Sequence, residues 1–142
     1  MTITAGMADS FKSEILTGTH ALDSDTLKLA LYTSDATLSR ATTAYSATNE
    51  VSGTGYTAGG KTLTGVTVAL DSDRHVAYLD ADDVAWTGLT LTDIRGALLY
   101  NASQGNKAIA VFDFGGRQEV TAGTFTVVLP SGDGANAMVR VG

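Results

Sequence analysis

The apolar positions follow two different periods along the chain. Near the start, Phe11, Ile15 and Leu16 fall on one face at helical spacing. Asp9 or Ser10 stands where a side chain can cap free backbone N–H groups, and Gly18 stands where a left-handed cap ends a helix. A helix is therefore predicted over Asp9–Thr17, short enough to need packing against something larger. Beyond it the period becomes two. TLKLALYT (Thr26–Thr33) sets Leu27, Leu29 and Leu31 on one face, and KTLTGVTVAL (Lys61–Leu70) aligns Val66, Val68 and Leu70. HVAYLD (His75–Asp80) follows a DSDR turn, so these last two runs predict a hairpin.

Five further runs have strand character: Val84–Thr92, Arg95–Asn101, Lys107–Phe114, Gly123–Pro130 and Asn136–Gly142. The turn signals NASQGN, GGRQEVTAG and PSGDGAN separate them. About eight short strands at this spacing predict a mainly β, antiparallel sandwich or barrel, with one short N-terminal helix. Pro130 falls at a strand end, where a missing N–H does little harm. Residues 34–60 are the irregular part, rich in Gly, Ser and Thr and holding Tyr45 and Tyr56. A loop of that length inside a compact domain is usually functional or flexible. Residues 1–8 read as a flexible arm, and residues 1–142 as one domain.

Composition narrows the function classes. A chain of 142 residues can bury a sizeable core, about 68–70% of its unfolded surface. It has no cysteine, so disulfides, thiol catalysis and cysteine-ligated metals are excluded. Nine Lys+Arg against fifteen Asp+Glu leave a net charge of −6, with the basic residues scattered. That balance argues against nucleic-acid binding, which rests on clustered cations neutralising phosphates. No apolar run approaches the roughly 20 residues of a membrane helix, and the N-terminus lacks the pattern of a secretory signal.

One stretch looks like chemistry. GYTAGGKT (Gly55–Thr62) matches the phosphate-loop pattern G-x-x-x-x-G-K-[ST], and VAYLD (Val76–Asp80) resembles a strand ending in a magnesium-binding aspartate. A working phosphate loop needs a buried strand before it and a helix starting at the Lys-Thr. Here NEVSGT precedes and the β-branched TLTGVTVAL follows. The expectation is a glycine-rich loop feeding a strand, with Lys61 solvated and no nucleotide bound.

The remaining candidates are weaker. Asp71-Ser72-Asp73 and Asp80-Ala81-Asp82-Asp83 lack calcium-loop spacing and read as solvated turns. His20 and His75 are far apart in sequence and form no metal signature; they read as a helix end and a strand start. No serine sits in a nucleophile-elbow context. Trp86, Tyr100, Phe112, Phe114 and Phe125 lie in strand-like runs and read as packing. The residues thus point to a non-enzymatic protein without cofactor or metal.

Six stretches resemble a family of small virion structural proteins of tailed bacteriophages. They are SFKSEILTGTH (Ser10–His20), DTLKLALYTS (Asp25–Ser34), TNEVSGTGYTAGG (Thr48–Gly60), RGALLYN (Arg95–Asn101), AVFDFGG (Ala110–Gly116) and TAGTFTVVLP (Thr121–Pro130). Within that family the chain is most similar to capsid decoration (cement) proteins. The resemblance implies a β-sandwich or jelly-roll-like domain on the capsid surface of the virion, made in the host cytoplasm. It implies the major capsid protein and the chain itself, as a symmetric dimer or trimer, as partners. Cement proteins need self-complementary surfaces and no active site. Thr2, Ile3 and Thr4 of the arm and Tyr45 and Tyr56 of the loop are the candidate interface residues. The alternative is a tail or fibre component that recognises a host receptor such as a carbohydrate, which would need Trp86 exposed.

Overall fold

The computed structural model describes residues 2–130 and 137–141. It is mainly β, with two antiparallel sheets and one short helix near the N-terminus. Eight strands are found among the described residues: β1 (Gly6–Met7), β2 (Leu27–Tyr32), β3 (Lys61–Thr62), β4 (Thr67–Asp71), β5 (Val76–Asp80), β6 (Val84–Asn101), β7 (Lys107–Val127) and β8 (Val139–Val141). The helix, α1, spans Asp9–Leu16. The larger sheet has the order β1-β7-β6-β2-β3 and the smaller β4-β5-β8.

The long β6–β7 hairpin is the frame. Asn101 closes it by accepting from the Ser103 N–H, a 3-10 turn follows at Ala102–Gln104, and Gly105 and Asn106 turn the chain in left-handed conformations. At this end the runs LALY of β2, ALLY of β6 and AIAV of β7 are buried on both faces. Successive strand residues point to opposite sides. Tyr100 faces the 34–60 segment, whose Gly59 O and Tyr45 ring it meets, while Asn101 faces the chain after α1 and meets His20. The larger sheet is thus covered on both sides. Leu79 of β5 and Val139 of β8 carry the smaller sheet into the same core on the α1 side.

Several expectations change. Val84–Thr92 and Arg95–Asn101 are one strand, as are Lys107–Phe114 and the run up to Val127. The GGRQEVTAG signal lies inside β7, where register shifts against β6 absorb it. β7 stops before Pro130, where Leu129 N–H donates to Asp83 at 2.9 Å. Lys61–Leu70 is two short strands in different sheets. The break is at Gly65, with φ +63°, where a Cβ would stand 2.6 Å from the Asp82 carboxyl. Asp82 ties that break by donating from its N–H to Thr64 O and accepting from Thr64 Oγ1. The DSDR hairpin is present: Asp71 pairs with Val76, and its carboxylate accepts from the Asp73 and Arg74 N–H groups. His75 lies in the turn, at φ +58°, just ahead of β5. Most of the PSGDGAN signal lies outside the described residues.

The helix forms where expected, with a different cap and face. The cap position falls on fully buried Ala8, which has no side-chain acceptor. Backbone carbonyls replace it: Ile109 O takes the Ala8 N–H and Arg40 O the Asp9 N–H. Phe11 is buried and Ile15 packs against the core, but Leu16 is 86% exposed. Gly18 is left-handed and donates to Ile15 O.

Residues 2–8 do not form a free arm. Ile3 bridges Leu38 in parallel, Thr4 N–H donates to Leu38 O, and β1 pairs with Ala110–Val111 of β7. An apolar side chain at position 3 fills the space over Gly96, whose added Cβ would meet Ile3 at 2.9 Å.

Candidate functional site

The Gly55–Thr62 motif lacks the architecture of a phosphate loop. Lys61–Thr62 begins a two-residue strand against Lys28–Leu29, not a helix. Lys61 Nζ donates to the Ala85 carbonyl. The loop nevertheless holds an anion of its own. The Gly59 N–H donates to Glu50 Oε2 at 2.8 Å.

Glu50 is the centre of a network of tyrosines. Tyr45 donates to Glu50 Oε1 at 2.6 Å and Tyr56 to Oε2 at 2.5 Å. Tyr56 Oη also accepts from the Leu31 N–H at 3.0 Å. Tyr100 donates to Gly59 O at 2.6 Å and stacks on Tyr45 with ring centroids 4.7 Å apart. Tyr32 donates to Ser46 O at 2.6 Å. The phenols serve as donors here, and burial pushes the pKa of Tyr56, Tyr45, Tyr32 and Tyr100 upward. The Glu50 carboxylate adds to the rise at Tyr56 and Tyr45 by accepting from their neutral forms. This geometry ties the irregular 34–60 segment to β2 and β6. It leaves no phenol unbonded among these four.

A second polar cluster joins α1 to the closed end of the hairpin. The His20 side chain is fully buried, beside the Phe11 ring at 4.9 Å. His20 Nε2 lies 2.8 Å from Glu14 Oε1, and its Nδ1 lies 2.9 Å from Asn101 Nδ2. Asn101, also fully buried, donates to Asp25 at 2.8 Å. An Asn Nδ2 can only donate, so Nδ1 accepts and the Nε2–H points at Glu14. The Asn101 amide, with the Ala21 N–H, holds the Asp25 carboxyl below the usual range. Both histidine nitrogens are thereby occupied within the chain.

Three of the clustered acids are likewise engaged. Asp71 closes its own hairpin and pairs with Arg74 at 3.1 Å, while Asp82 and Asp83 hold the segments around Thr64 and Leu129. Among the described residues no group of three or more His, Cys, Asp or Glu stands close enough to hold a metal ion. No helix among them is long and apolar enough to cross a membrane.

The predicted interface residues are dispersed. Thr2 and Thr4 are exposed, but Ile3 between them is buried in its own core. Tyr45 and Tyr56 are half-buried, and their polar tips turn inward to Glu50. Trp86 is 3% exposed, 6.1 Å from the Tyr56 ring. Sequence reasoning missed Glu50, although it is the only acid between Asp35 and Asp71 and sits in a tyrosine-bearing stretch.

The outward chemistry is on the smaller sheet. Its registers place Val68 and Leu70 of β4, Ala77 and Leu79 of β5, and Val139 and Val141 of β8 on one face. Leu79 and Val139 are buried. Val68 is 50% exposed, Leu70 70% and Val141 49%. A cleft of about 290 Å³ separates part of this face from Phe11, Ile15 and Leu22. Periodicity correctly put Val68 and Leu70 on one face, but that face is half open to solvent. No protein-family model, curated protein or solved structure matches this chain.

Proposed function

We propose that the chain is a non-enzymatic virion structural protein that decorates and stabilises the capsid shell of a tailed bacteriophage. Its partners in this reading are the major capsid protein and further copies of itself. One contrast carries the reading. The Glu50 and His20 side chains are turned inward and occupied, while an apolar row of Val68, Leu70 and Val141 is half open to solvent. An acidic domain with an outward apolar row suits docking on a protein surface. The resemblance of the six stretches from Ser10 to Pro130 to virion proteins supplies the kind of surface. Binding only to the assembled shell would stabilise it by mass action. A tail or fibre role in receptor recognition is the alternative, and the burial of Trp86 weighs against it by withdrawing the indole that would stack on a sugar.

Co-sedimentation tests the proposal. The protein is mixed with expanded capsids lacking it and, separately, with isolated tails. Saturable binding to capsids in many copies supports decoration. Binding to tails alone would reject it in favour of the adsorption apparatus.

A further inference from the structure

We infer that β4 is a self-pairing edge, through which two copies of this chain join their smaller sheets antiparallel across a two-fold axis at Ala69. The inference deepens the self-association in the reading above and rests on the chain's own geometry.

The edges differ. In the larger sheet the outer strands, β1 and β3, are two residues long. In the smaller sheet β8 has three residues and β4 has five. Very short edge strands, or charges on them, are how proteins protect unpaired backbone groups from other chains. β4 has neither protection. Thr67, Val68, Ala69 and Leu70 are uncharged, and its only charge, Asp71, is held by Arg74 in the hairpin turn. On one side β4 pairs with β5. On the other it meets no backbone partner among the described residues.

Register selects a second copy as the occupant. Paired about Ala69, all five residues of β4 find partners on the twin strand. Val68 then faces Leu70 of the other copy, Thr67 faces Asp71, and Ala69 faces itself. The apolar face, which already includes Ala77, Leu79, Val139 and Val141, becomes continuous across both molecules. No like charges are opposed. A shift by one residue of one strand would set apolar side chains against the polar face. A two-fold axis at Asp71 would instead set two aspartates against each other. The arrangement is isologous, as closed dimers require. Five residues span only about 17 Å. That contact is small beside the roughly 800 Å² per partner of a standard interface, so association should depend strongly on concentration.

The absence of native cysteine makes the test clean. Directly opposed strand residues have Cα atoms about 4.5–5.5 Å apart, within reach of a disulfide. Ala69→Cys should therefore oxidise to a covalent dimer. Thr67→Cys, whose two copies would lie about 13 Å apart at 3.3 Å per residue, should not. The double substitution Val68→Lys with Leu70→Lys should shift sedimentation to monomer at every concentration, since like charges then face one another. Val68→Lys with Leu70→Glu should restore the dimer. Circular dichroism checks that each variant is folded. A wild-type chain that stays monomeric, or equal cross-linking at positions 67 and 69, overturns the inference. A monomer that still coats shells would leave decoration standing, and a β4 dimer that coats none would do the reverse.

Discussion

Tyr56 donates its phenol to the Glu50 carboxylate at 2.5 Å while accepting the Leu31 N–H on the same oxygen. The side chain thereby bridges the irregular 34–60 segment to β2. Glu50 also takes Tyr45 and the Gly59 N–H, so one carboxylate satisfies three donors from three points of the loop. A segment with no strand or helix of its own acquires its shape from that hub.

Glu50→Ala should lower stability by about 2–4 kcal/mol, because charge-assisted bonds contribute more than neutral ones and their buried donors are left unmet. Urea denaturation measures it. Tyr56→Phe combined with Glu50→Ala should cost less than the two changes summed, by more than about 0.5 kcal/mol. Strict additivity would show that the residues do not act as a unit.

The same tyrosines make the fold alkali-sensitive. Burial raises their pKa in the folded state, so the folded chain keeps protons that the unfolded chain releases. Their contribution is complete below the ordinary tyrosine value of about 10 and is lost as pH rises through the folded values. The urea midpoint should fall steeply above about pH 10. The Tyr56→Phe variant should start less stable and lose less over that range.

Two backbone positions should respond in opposite directions. Gly60 has φ +81°, and an added Cβ would stand 1.9 Å from Leu29 O. Gly60→Ala must push β3 off β2, and a loss of about 3 kcal/mol or more is expected. Ala122, in β7, holds φ +45° with a methyl group that the left-handed region disfavours. Ala122→Gly should raise stability by about 0.5 kcal/mol. Thermal unfolding of both variants beside the wild type decides the signs.

Trp86 gives a check on the surface. It is 3% exposed, so acrylamide should quench its fluorescence weakly in the native chain and strongly after unfolding. Strong quenching of the folded protein would revive a sugar-binding role for the indole.

What was legible in the sequence was local. Phe11 and Ile15 at helical spacing gave α1, and Asp71 and Asn101 gave two turns that close on their own side chains. Strand lengths were not legible, because Gly115, Gly116 and Gly123 of the GGRQEVTAG signal look like turn residues and instead lie within β7. Nor was the direction of a face. Alternation shows that Val68 and Leu70 share a side, while only the neighbouring strand and helix determine whether that side is covered. Glu50 was invisible for a related reason: its partners Tyr45, Tyr56 and Gly59 are close in sequence, but the closing contacts are to Leu31 and Tyr100.

The N-terminal segment also needs the rest of the fold to be understood. MTITAGMA reads as a loose arm, yet Ile3 is 5% exposed and β1 pairs with β7. Gly96 leaves the space over β6 that the Ile3 side chain occupies, and Leu38 brackets it from the loop. Ile3→Ala should therefore cost about 2 kcal/mol, as for a buried aliphatic truncation in a site that partly collapses. Removing residues 1–8 should cost more, since it also uncovers Ala110 and Val111 and strips the Ala8 link to Ile109. Limited proteolysis reads this directly. A docked segment resists trimming until the domain unfolds, whereas loss of the first eight residues at full stability would return the segment to the role of a free arm.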